Sequence, residues 1–159
     1  MTRPDAVTEI TLAQVTSPAV KLFDQYWRGK RRDGALPRRQ DIDPSEFPKL
    51  LPLFVLTDIE PAPFRIRYRL CGSHVAQQDE ELTGKYLDEL HNTSAEEKAG
   101  LAAHYRIACT EHRPVFARVT MRSRETGLEL MCEGGIWPLS SDGQIVDKCA
   151  AIQDVARLP

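Results

Sequence analysis

The sequence predicts an α+β domain in the order helix, two strands, several helices, three strands. Three patterns carry that reading. Residues 64–71 alternate strictly, with Phe64, Ile66, Tyr68 and Leu70 on one face and Arg65, Arg67, Arg69 and Cys71 on the other, the mark of a strand buried on one side. Ser94-x-x-Glu97 is a capping box that opens the longest helix, running to about Thr110. From Val115 the alternation returns in two runs parted by Thr126-Gly127, and Ser141-Asp142-Gly143 turns into a last apolar run, Ile145 to Ile152.

The remaining elements follow in chain order. Residues 1–16 read as a flexible tail, and 17–155 as a single domain. Ser17 followed by Pro18 supplies an N-cap and a first-turn proline. The helix they start carries Val20, Phe23 and Trp27 as a stripe, with Leu22 and Tyr26 beside it, and stops near Gly29. Asp43-Pro44 begins a short helix that Pro48 and Pro52 curtail. Leu53 to Ile59 forms the first strand, and Pro61-Ala-Pro63 turns it into the second as an antiparallel hairpin. Short helical pieces fill 73–92. In the long helix Leu101, Tyr105, Ala108 and Cys109 form the inner stripe, flanked by His104 and Ala102.

The totals narrow the class. With 159 residues, 42% hydrophobic and 28% charged, the chain suits one soluble globular domain. A net charge of −2 is the wrong balance for a general nucleic-acid binder. The start, Met-Thr-Arg-Pro-Asp, has no apolar secretory core, and no run is long enough to span a membrane, so the expected location is the cytoplasm. Cys71, Cys109, Cys132 and Cys149 stand far apart with no C-x-x-C pair, which argues for reduced thiols and against a structural metal.

Several fragments in register carry a family resemblance: Tyr26-Trp27, Leu36-Pro37 with Arg39, Asp43-Pro44, Leu50-Leu51-Pro52 and Tyr68-Arg-Leu-Cys-Gly72. Leu82-Thr-Gly84, Leu87-Asp-Glu-Leu90, Pro138-Leu-Ser140 and Asp142-Gly143 complete the set. Together they resemble the PAS superfamily, in particular a short stand-alone bacterial subfamily, common in alphaproteobacteria, whose added N-terminal helix ends in Tyr-Trp. The resemblance spans about residues 18–153. It implies a five-stranded antiparallel sheet with helices over one face and the Tyr-Trp helix outside. It also implies a sensory or interaction module, with no output domain of its own, that acts through a small ligand or a protein partner.

The candidate pocket is the inner face: Tyr68, Leu70, Leu82, Tyr86, Leu90, His104, Tyr105, Val119, Met121, Leu130 and Cys132. An apolar space with a few polar groups suits a small apolar ligand; the same side chains could equally interlock as solid core. Dimer or partner contacts are expected through Phe23, Tyr26 and Trp27, or through Phe116, Arg118 and Met131 on the outer sheet face. That outer face also reads as a salt-bridged solvent surface, with Arg65, Arg67, Arg69 and Arg122 near Glu129 and Glu133. The expected assembly is a homodimer that binds a signalling protein.

No cofactor is required by the residues. A haem would take its axial ligand from His91 or His104. The Asn-Cys-Arg-Phe helix of flavin photosensors of this fold has no match. Arg28-x-x-x-Arg32 matches half of a cyclic-dinucleotide motif, but Asp43-Pro-Ser45-Glu-Phe-Pro48 ends in proline where glycine is needed. The basic run Arg28 to Arg39 and the acidic stretch Asp79 to Glu97 could steer a charged partner or could simply be solvated loops. No Gly-x-Ser-x-Gly elbow, P-loop or dinucleotide fingerprint is present. An enzymatic alternative, a small isomerase or hydrolase, would rely on His104 with Tyr105 or Tyr86.

Overall fold

A computed structural model describes residues 7–78, 80–122 and 126–157, apart from the side chains at positions 78, 121, 122, 156 and 157. The strands are β1 (Thr8–Ile10), β2 (Phe54–Pro61), β3 (Phe64–Cys71), β4 (Val115–Arg122), β5 (Glu129–Leu139) and β6 (Lys148–Arg157). They form one sheet in the order β1-β4-β5-β6-β2-β3, with every pairing antiparallel. The helices are α1 (Pro18–Lys30), α2 (Ser73–Gln78) and α3 (Ala95–Glu111), and short 3-10 turns link them to the strands.

The sheet is α+β and antiparallel as expected, but it has six strands instead of five. The extra strand comes from the stretch read as a tail: Thr8, Glu9 and Ile10 pair with Arg118, Ala117 and Phe116 at the edge of β4. Three residues are too few for a period-two pattern to stand out. The last strand also starts later than expected, at Lys148. The Asp142 carboxylate accepts from the backbone of Gln144 and Ile145, and Ser140 Oγ donates to the Ile145 carbonyl. This closed turn leaves Ile145 63% exposed.

The helices lie on opposite faces of the sheet. Register places Phe54, Phe116, Gly135, Trp137, Ala150 and Ile152 on one face and Val55, Thr57, Val115, Ile136 and Ala151 on the other. α1 covers the first face. Phe23 meets Trp137 edge-on at 4.7 Å and contacts Phe47 and Phe54, and Trp27 Nε1 donates to the Pro138 carbonyl. Trp137 Nε1 donates in turn to Asp24, which also pairs with Arg28 one helical turn on. Both indole N–H groups are therefore satisfied inside a buried aromatic layer.

The start of α1 is fixed by Glu133, whose side chain is 2% exposed. Its carboxylate accepts from the backbone N–H groups of Thr16 and Ser17, from the Thr16 hydroxyl and from the Arg118 guanidinium. A carboxylate at a helix N-terminus also meets the positive end of the helix dipole. Burial alone would raise the Glu133 carboxyl, but the hydrogen bonds from Thr16, Ser17 and Arg118 outweigh it and hold the group below the usual glutamate range. The folded value thus lies below the unfolded one. The stabilisation is present above about pH 4.3, the unfolded value, and is lost as the pH falls through the folded value.

Two outcomes follow for stability. Glu133→Gln leaves Arg118 without its anion and should cost about 3 kcal/mol at neutral pH, read by urea denaturation. Its acid-unfolding limb should also be flatter than that of the wild type; equal stability and equal acid limbs would contradict this role. At Gly135 a Cβ would sit 2.4 Å from the Trp137 ring. Gly135→Ala should therefore lower stability by about 1–3 kcal/mol through overpacking, and a neutral result would show that the indole can shift.

Candidate functional site

The opposite face of the sheet is not filled. A space of about 170 Å³ lies between it and a layer made by residues 82–93 and α3. Its walls are Tyr68 from β3, Val115, Ala117 and Val119 from β4, Cys132, Gly134 and Ile136 from β5, and Ala151 from β6. Leu82, Leu87 and Leu90 close one side, Leu101, His104 and Tyr105 the top, and Val7 the edge beyond β4. Small residues create the room. Gly134 contributes no side chain where the alternation calls for one facing this side; Ala117 stands beside it in register, and Ala151 shares that face as the partner of Ile136.

Local forces hold the walls. The segment before α3 is gathered by Glu80, which pairs with Lys85 and accepts from the backbone of His91 and Asn92. The Lys85 and Asn92 bonds, with help from His91, hold the Glu80 carboxyl down at about 2. Gly84 and Lys85 bond back to the backbone of Tyr68, so this segment runs along the open edge of β3. Ser94 and Glu97 form the expected capping box, which sets the start of α3. Burial pushes the Tyr105 hydroxyl well above its ordinary range, so it stays protonated.

Seven of the eleven expected pocket residues line the cavity: Tyr68, Leu82, Leu90, His104, Tyr105, Val119 and Cys132. Leu130 is buried but lies outside the lining. The side chain of Met121 lies outside the described residues. Leu70 is turned away and 42% exposed. A bulge is the reason: Leu56 pairs with Leu70 and Thr57 with Tyr68, so Arg69 is extra and the alternation reverses there. Tyr86 is drawn to the rim, where its hydroxyl donates to Glu60 at 2.6 Å and the Arg65 guanidinium stacks on its ring at 3.5 Å.

The expected contact surfaces are placed differently. Phe23 and Trp27 are fully buried and Phe116 is 6% exposed, all within this chain's own aromatic layer. Arg118 is engaged by Glu133 and by the Gln14 carbonyl. Tyr26 is half-buried, donates to Glu46 and accepts from the Asp43 amide; Met131 is half-buried. The Phe23/Trp27 stripe therefore serves the sheet and not a partner, because α1 itself covers the outer face.

Residues that sequence reasoning passed over include Gly134, Ala151 and Val7. The signal for the first was present: paired glycines inside a strand mark close approach of another chain segment or a ligand.

His104 has become an interior residue, 8% exposed, instead of a flank. Its Nδ1 is buried with no hydrogen-bond partner. Burial lowers its pKa, against a smaller pull from Glu9, so the imidazole is neutral near pH 7. Among the described residues no hydrogen bond joins His104 to Tyr105 or Tyr86, so the expected acid–base pair is not assembled. His91 is exposed on the far side of the Glu80 turn. A porphyrin is several times the size of benzene, which fits a cavity of about 150 Å³, so the space beside His104 does not suit haem. Among the described residues no group of His, Cys, Asp and Glu could hold a metal ion, and no helix is long and apolar enough to cross a membrane.

An antiparallel sheet with α3 and short helical turns over one face thus encloses a small, mainly apolar cavity. A family model described as PAS domain matches residues 15–149. The chain belongs to the PAS domain family, whose members are generally sensory and regulatory modules and not enzymes. Neither the curated proteins nor the solved structures gave a match.

Burial raises the Cys132 thiol to about 12, with Asp154 and Glu133 adding to the effect. At pH 8 only about one molecule in 10⁴ then carries the reactive thiolate. Iodoacetamide at that pH should leave Cys132 unmodified until the chain unfolds, as read by peptide mass mapping. Stoichiometric labelling of the folded protein would show the cavity wall to be open to solvent.

Proposed function

We propose that this protein is a PAS sensory module that takes one small, mainly apolar ligand in the cavity under α3 and thereby changes its affinity for a signalling protein. The observation that carries the reading is the contrast between the two sheet faces. The α1 face is close-packed with interlocking rings, while the α3 face keeps about 170 Å³ open behind apolar walls. An apolar cavity of roughly this size, about 150 Å³, admits benzene, so a ligand of one ring or an equivalent branched chain fits. Lost core contacts of this kind destabilise a protein; an occupant would restore them and stabilise the folded state by mass action.

The route from ligand to partner is short. α3 lies over the cavity through Leu101, His104 and Tyr105, and its outer side carries Arg106, Thr110 and Glu111 to the surface. The segment 82–90 forms the cavity's other movable wall and displays Lys85, Asp88 and Glu89. Occupancy that shifts either element alters a charged surface a partner can read. Self-association, if the protein forms a homodimer, uses surfaces other than the buried Phe23 and Trp27.

Native mass spectrometry of protein purified from its own cells tests this reading and reports subunit count at the same time. The expected result is a retained small mass that disappears in Ala151→Leu, a variant that fills the cavity while keeping the fold. Bare polypeptide in both cases, with no stabilisation of the wild type by any small ring compound, would overturn it.

A further inference from the structure

The cavity's polar content narrows the ligand class. Most polar groups on its wall are already used by the protein. Glu97 caps α3 by accepting from the Ser94 backbone, and Arg118 is held by Glu133 and the Gln14 carbonyl. Burial keeps the Tyr105 hydroxyl protonated, and it lies beside Thr57, whose own hydroxyl donates to the Cys149 carbonyl. Thr93 and Gln153 are half-exposed and can reach water. Cys132 offers only a protonated thiol, a weak donor. His104 is different. It lies over apolar walls, is more than nine-tenths buried, and no hydrogen bond to another described residue engages its ring.

An unpaired buried polar group is costly, and interiors seldom keep one without an occupant. A neutral imidazole presents one donor and one acceptor. We infer that the ligand is a compact apolar body carrying one hydroxyl or carbonyl group, set against His104, and that this histidine selects it over a pure hydrocarbon of equal size. This rests on the cavity reading above. Anionic ligands are disfavoured, since among the described lining residues the one cation, Arg118, is already engaged by Glu133, while Glu97 adds a negative charge at the rim. Larger planar cofactors are excluded by its volume.

Phenol and toluene are near-isosteric probes that differ in one hydroxyl. Their binding to the full chain, followed by ligand-observed NMR and calorimetry, separates the two ideas. The wild type should bind phenol about five- to tenfold more tightly than toluene, the discrimination a single hydrogen bond provides. His104→Leu should reverse that order while leaving the empty protein at least as stable, because an unpaired polar group has been replaced by an apolar one. His104→Gln, which keeps a donor and an acceptor, should retain part of the phenol preference, and it serves as the test if the Leu variant folds poorly. Toluene binding as well as phenol, with the order unchanged in His104→Leu, would overturn the role of His104 and leave the cavity standing. Failure of both probes to bind would overturn the cavity reading together with this one.

Discussion

Much of this structure depends on one buried carboxylate. Glu133 lies on the central strand β5, and its oxygens collect the backbone donors of Thr16 and Ser17 just ahead of α1, the Thr16 hydroxyl and the Arg118 guanidinium of the neighbouring strand. A charge this deep is tolerable only when its lone pairs are filled. Meeting that demand brings the start of α1 onto the sheet and fixes the strand next to β1. Ser17 adds a bond to Asp154 on β6, so three elements converge at one end of the helix. The stripe of Val20, Phe23 and Trp27 then has no choice of partner: it lies over Phe54, Phe116 and Trp137 and closes that side of the molecule.

With one face committed to close packing, the apolar space between sheet and helix lies on the other. There the residues change character. Alanine and glycine stand at 117, 134 and 151 without a ring such as Trp137, which fills the room over Gly135 on the α1 face, and the cover is a helix with a single buried row plus a loop segment. That segment is held by the buried Leu82, Leu87 and Leu90 and by the polar bonds of the partly exposed Glu80. Under the proposed function, an occupant of the cavity acts on α3 and this segment, the two elements that cover it.

The parts legible in the sequence are those where a local rule has no competitor. The alternation at 64–68, the capping box at Ser94 and Glu97, and the Ser17-Pro18 helix start all appear where the pattern places them. The amphipathic stripe of α1 was equally plain, but a stripe says only that something covers it. Whether a partner or the chain's own sheet does so depends on Glu133 and Trp137, more than a hundred residues away. Leu70 misled because one extra residue, Arg69, shifts the register and reverses the faces. Tyr86 misled because Glu60 and Arg65 claim it at the rim. The strand at Thr8–Ile10 is set by pairing with β4 and has no pattern of its own to read.

The asymmetry between the two faces is the claim on which the sensory reading stands, and xenon tests it directly. Xenon enters dry apolar cavities and is unmistakable in a diffraction map. A crystal of the protein held under xenon should show density among Tyr68, Leu90, Tyr105 and Val119, and none between α1 and the sheet. Xenon in the aromatic layer under α1, or side chains filling the space below α3 with no xenon there, would contradict it.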